Sequence, residues 1–208
     1  MPVHSFQTIQ HPAEGLYKEK GSKFLAFAFP VSDENEIKCT IESIKKKYFD
    51  ARHHCYAWML GAEKKRFRAV DDGEPNHSAG DPILGQIRSK DITNVLIIVV
   101  RYFGGVKLGV GGLVAAYKAA AEDALRHAHI IEQQVTKIFT ITFVYAATPQ
   151  VMRLVKDFDL EIMEQHFSDS CVVTLKASLQ HQERMLESLR LMQAMGTQLS
   201  WEEQPESD

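Results

Sequence analysis

Residues 93–128 read TNVLIIVVRYFGGVKLGVGGLVAAYKAAAEDALRHA. Every position from 95 to 100 is apolar, which marks a central strand covered on both faces. Arg101, Tyr102 and Phe103 end that run, and five glycines fall among the nine residues 104–112. From Gly111 the pattern turns helical. Leu113, Tyr117, Ala120, Ala124 and Ala128 form one stripe, and Glu122 and Arg126 make an i,i+4 pair on the opposite face. A strand, glycines and then a helix N-terminus present backbone N–H groups and the positive helix end to an anion. Gly104, Gly105, Gly109, Gly111 and Gly112 let a ligand approach the backbone, while Arg101 and Lys107 supply charge. No Gly-Lys-Ser/Thr follows, and Gly109-x-Gly111 would need glycine where Val114 stands, so neither nucleotide-loop fingerprint is met. The same glycines equally serve tight turns and close helix–strand packing. Spacing alone leaves the two roles open.

Working outward, GLYKEKGSKFLAFAFPV (15–31) predicts a strand pair turning at Gly21-Ser22 and closed by Pro30. From Ser32, which can cap it, a helix follows with acids in its first turn and Lys45, Lys46 and Lys47 in its last. ARHHCYAWML (51–60) reads as an interior strand. The basic strand KKRFRAV (64–70) then runs into the turn-rich DDGEPNHSAGDP, where Asp81-Pro82 starts a short helix. Near 135 the pattern restarts. KIFTITFVY puts Phe139, Ile141, Phe143 and Tyr145 on one face, and Thr148-Pro149 caps a helix. Two strands flank 168–170, a second helix carries Met185, Leu186 and Leu189, and QLSW closes a βαββαβ order before a frayed tail, EEQPESD. The fold class is α+β, with a domain over 1–134 and another over 135–208.

Composition narrows the function. The chain of 208 residues carries a net charge of −3, which excludes a uniformly basic surface. The balance is uneven, however. Residues 1–135 hold 18 Lys+Arg against 16 Asp+Glu (+2), and residues 136–208 hold 6 against 11 (−5), together −3. Any polyanion contact belongs to the first part, and the acidic second part suits a protein partner. Three cysteines form neither a disulfide framework nor a metal clip. No apolar run is long enough to cross a membrane. The reading is a cytoplasmic protein.

Two further stretches hold reactive residue types. In DARHHCYAWMLG, strand alternation puts His53 and Cys55 on one face and His54 on the other, so the adjacent histidines do not easily share one ion. In RAVDDGEPNHSAGDP, Asp71, Asp72 and Glu74 form an acidic turn suited to a cation or to acid–base work, or to capping nearby N–H groups. No catalytic set, metal or cofactor is assigned. His53, His54, Asp71, Asp72 and Glu74 remain a candidate functional face.

Taken together and in order, DARHHCYAW, VDDGEP followed by SAGDPIL, and VVRYFGGVKLGVGGLVAAY resemble the IMPACT/YigZ family over most of residues 15–130. The resemblance implies an N-terminal domain like the second domain of ribosomal protein S5 and a ferredoxin-like C-terminal domain. The pair would resemble the fourth and fifth domains of elongation factor G. It also implies a translation-linked role with RNA or the ribosome as partner. On that expectation Arg101, Tyr102, the glycines and Lys107 form an anion or nucleic-acid platform. Two other classes stay open. One is a small-molecule hydrolase or transferase using His53/His54 and Asp71/Asp72, and the other is a protein-interaction scaffold.

Overall fold

A computed structural model describes residues 3–168 and 170–204. The chain forms two compact units. One is Ser5–Gln133; the other takes the described residues from Gln134 onward with those before Ser5. The architecture is α+β.

In the first unit, strands β2 (Ala13–Glu19), β3 (Ser22–Pro30), β4 (His53–Leu60), β5 (Arg66–Val70) and β6 (Val95–Tyr102) form one sheet in the order β2-β3-β6-β4-β5. All its pairings are antiparallel. The apolar run of β6 lies at the centre. Its alternate residues Val95, Ile97 and Val99 pack beneath helices α2 (Gly80–Ser89) and α3 (Gly109–His127). Leu96, Ile98 and Val100 pack on the other face beneath α1 (Glu34–Lys47). Cover on both faces leaves no polar face to specify, which is why β6 reads as unbroken hydrophobicity. A separate two-stranded sheet joins β1 (Ser5–Ile9) to β7 (Ile130–Gln134).

Local details depart from the sequence reading in instructive ways. The β2–β3 turn is Lys20-Gly21, one residue earlier than expected. Both residues have positive φ (46° and 79°), as a two-residue hairpin of the I′ type requires. Asp33, not Ser32, caps α1 by accepting from Glu36 N–H at 2.8 Å. Ser32, the residue before the cap, instead donates its N–H and hydroxyl to the Glu36 carboxylate, which ties the entering chain to the first turn of the helix. Arg126 pairs with Asp123, one turn back, rather than with Glu122.

The second unit has the element order β8 (Thr136–Phe143), α4 (Thr148–Asp157), β9 (Glu161–His166), β10 (Cys171–Ser178), α5 (Leu179–Ala194) and β11 (Leu199–Glu203). Its antiparallel sheet runs β11-β8-β10-β9. Phe139, Ile141 and Phe143 of β8 are buried as expected, but Tyr145 leaves the strand in a single 3-10 turn and is 71% exposed. Thr148 does not cap α4; its hydroxyl donates to the Tyr145 carbonyl. Glu202 and Glu203 extend β11 rather than fraying. Residues 205–208 of the tail and Asp169 of the 168–170 turn lie outside the described residues. Of the three thiols, Cys39 is exposed on α1, Cys55 is buried in the first unit and Cys171 in the second. Among the described residues no helix is long and apolar enough to cross a membrane.

Candidate nucleic-acid interface

The acidic turn is a strut for its surroundings. Asp71 accepts from the N–H groups of His77 (2.8 Å), Ala79 (2.9 Å) and Gly80 (2.8 Å). It thereby caps α2, whose own N-cap position, Ala79, has no side chain to do so; Asp81, expected in that role, pairs with His77 instead. Burial pushes the Asp71 carboxyl upward, but the three backbone donors outweigh it and hold the group below the ordinary carboxylate value. Asp72, at φ +41°, accepts from His54 N–H at 2.7 Å and meets Lys45 at 3.4 Å. Its carbonyl takes the Nδ1–H of His53 at 2.9 Å, which fixes that ring's tautomer. His54 donates Nε2–H to the Tyr48 carbonyl at the end of α1. The two histidines therefore point to different partners on opposite faces of β4. Among the described residues no three His, Cys, Asp or Glu side chains are grouped to hold a metal.

Glu74 and Arg101 form a buried ion pair. Arg101 is 6% exposed and Glu74 8%, and Nη1 donates to Oε1 at 2.5 Å. The Tyr117 hydroxyl of α3 donates to the same oxygen at 2.8 Å, and Cys55 Sγ lies 3.3 Å from that hydroxyl. Burial raises the pKa of the Tyr117 phenol, and the neighbouring Cys55 and Glu74 raise it further. Burial likewise raises the Cys55 thiol, so it stays protonated. The sequence reading placed Arg101 on an open phosphate platform. The structure corrects this: its charge is already matched by a carboxylate 27 positions earlier, which strand spacing could not reveal.

The glycine loop itself is open. Gly104 N–H donates to the Ser22 hydroxyl at 3.1 Å, and a Cβ at Gly104 would overlap the backbone of Gly21 and Ser22. That glycine is therefore there for close approach to the hairpin. Gly105 and Gly109 sit at φ +88° and +71°. Helix α3 begins without a capping side chain or an acid in its first turn, so the N–H groups of Gly109, Val110 and Gly111 belong to a turn with no intrahelical acceptors. Lys107 and Phe103 are exposed on this loop, Phe103 at 57%. Tyr102, half-buried, donates its hydroxyl to Asp50 at 2.8 Å, and that bond raises its pKa.

Four residues absent from the sequence-derived set complete this end of the sheet. Lys23 sits opposite Tyr102 in the β3–β6 register, and Lys20 is in the adjoining turn. Arg52 precedes His53, which pairs with Arg101. Phe49, 82% exposed, follows α1. A cleft of about 390 Å³ lies between segments 50–53 and 101–103. Lys20, Lys23, Arg52 and Lys107 are exposed, and none has an ion-pair partner among the described residues. The hairpin register, read together with a central β6, was the one signal that would have brought Lys23 to the loop.

The family model described as the Impact N-terminal domain matches residues 20–125. IMPACT family member YvyE of Bacillus subtilis is 30% identical over 168 residues, 81% of this chain and 77% of that protein. IMPACT family member YigZ of Escherichia coli is 38% identical over 117 residues, 55% of this chain and 57% of its own. A crystal structure described as that of an hypothetical protein superposes with a TM-score of 0.75 at 26% identity, covering 99% of this chain and 100% of the other.

Proposed function

The chain belongs to the IMPACT family, and from that premise we propose a translation-linked regulatory protein that binds RNA or the ribosome in the cytoplasm. Contact is made through the loop end of its first unit. One observation carries this reading: four cations without an ion-pair partner among the described residues, two exposed phenylalanines and an uncapped glycine-rich helix start lie at one end of the sheet, where Arg52 and Phe103 line a cleft. Cations without carboxylate partners attract a polyphosphate backbone and release its counterions, and exposed rings stack on unpaired bases. In this reading residues 1–134 are the binding domain. Residues 135–208 form a ferredoxin-like second domain whose acidic balance keeps it off the nucleic acid and leaves it for a protein partner. Arg101 acts inside the site, as a buried cation, and Lys107 with Lys23 at its surface. The hydrolase reading is weaker, because Asp71 and Asp72 are already committed to backbone donors.

Co-sedimentation with ribosomes tests the proposal. Binding is expected at low salt and loss at high salt, and Lys23→Ala/Lys107→Ala should flatten the log–log salt slope by about two. Binding that ignores salt, or that the double variant leaves unchanged, overturns it.

A further inference from the structure

The ion pair of Arg101 and Glu74 is made through Nη1 alone, and Arg101 Nε is buried without a hydrogen-bond partner among the described residues. Buried donors in folded proteins are nearly always matched, so an orphan on a charged group asks for a missing acceptor. Arg101 lines the cleft together with Arg52, His53, Tyr102 and Phe103. Its guanidinium carbon stands 5.6 Å from the centre of the Phe103 ring and 5.5 Å from that of Phe24. Phe24 is buried, whereas Phe103 is more than half exposed and forms the solvent-facing wall. The carboxylate that lines the cleft, Asp50, already accepts the Tyr102 hydroxyl.

We propose that this cleft seats one unpaired nucleotide of an RNA strand, its phosphate accepting the Arg101 Nε–H beside Arg52 and its base lying on Phe103. The inference rests on the RNA reading above and narrows it to single-stranded segments. A cleft of about 390 Å³ suits a single nucleotide. A paired base, stacked on both sides, cannot reach a ring at the mouth of such a cleft, while an unpaired one stacks readily. Phosphate is the fitting acceptor because it takes a guanidinium N–H as a charge-assisted bond, even from a group whose other arm holds a carboxylate.

Arginine side-chain ¹H–¹⁵Nε spectra of the full chain read the claimed atom directly. Uridine 5′-monophosphate is expected to shift the Arg101 Hε resonance, and uridine is not. A uridine hexamer should bind at least about tenfold more tightly than an RNA duplex. Phe103→Ala, at an exposed position, should weaken the hexamer about 5- to 100-fold while the folded spectrum is retained. Arg101→Lys, which keeps a cation for Glu74 but removes Nε, should lose the preference for uridine 5′-monophosphate over uridine. An unmoved Hε resonance at saturating monophosphate or hexamer, with ribosome pelleting intact, overturns the cleft assignment and leaves the broader function standing. Loss of pelleting and of hexamer binding together in the wild-type chain removes both. An equal shift with inorganic phosphate, with no gain from the base, overturns the nucleotide.

Discussion

Arg101→Ala is expected to lower the unfolding free energy by about 3–5 kcal/mol, the cost of leaving one partner of a buried ion pair uncompensated. Glu74 would be left without its guanidinium partner in a site where it is 8% exposed, with the Tyr117 hydroxyl donating to it. Urea denaturation followed by the fluorescence of Trp58, in the first unit, measures the loss. The companion variant Arg101→Met/Glu74→Leu removes both charges and should recover most of it, since isosteric apolar replacement of a buried pair is often neutral or better. A loss below about 1 kcal/mol in the single variant would mean that the pair is solvated like a surface ion pair, against the geometry described.

The second large effect is at Asp71. Asp71→Ala removes the acceptor for three backbone N–H groups and with it the side-chain cap on α2. Helix caps and hydrogen bonds to charged groups together put the cost at about 2–4 kcal/mol. Asp71→Asn keeps a carbonyl acceptor and should lose less. The same donors depress the carboxyl's folded pKa below its ordinary value of 3.8, despite burial acting the other way. Stability from this group is therefore fully present above the ordinary value and drains away as pH falls through the lower, folded value. Urea midpoints measured between about pH 5 and pH 2 should fall less steeply in Asp71→Asn than in the wild type. Parallel curves would show that Asp71 titrates alike in both states.

What the sequence made legible was governed by local periodicity. The central strand β6, helix α3, the β2–β3 hairpin and the alternation of β8 all announce themselves within windows of a dozen residues. What escaped depends on partners far along the chain. β1 and β7 are five residues each, and they pair across more than a hundred positions, so neither carries enough pattern to be recognised alone. The start of α2 looked as though Asp81 and Pro82 determined it, yet its cap comes from Asp71, ten residues earlier. Arg101 looked like surface charge because arginine is mostly exposed. Only the fold brings Glu74 and Tyr117 against it. Arg52 and Phe49 went unnoticed for the opposite reason, since a residue beyond a helix end looks like ordinary connecting chain until the strand beside it is known.

The placement of the thiols turns each unit into its own clock. A maleimide or iodoacetamide pulse should mark Cys39 at once, while Cys55 and Cys171 react only when their surroundings open. Mass spectrometry of the resulting peptides would then time the opening of the two units separately in one unmodified sample. With ribosomes added, the proposed contact through the first unit is expected to slow the labelling of Cys55 and leave that of Cys171 unchanged.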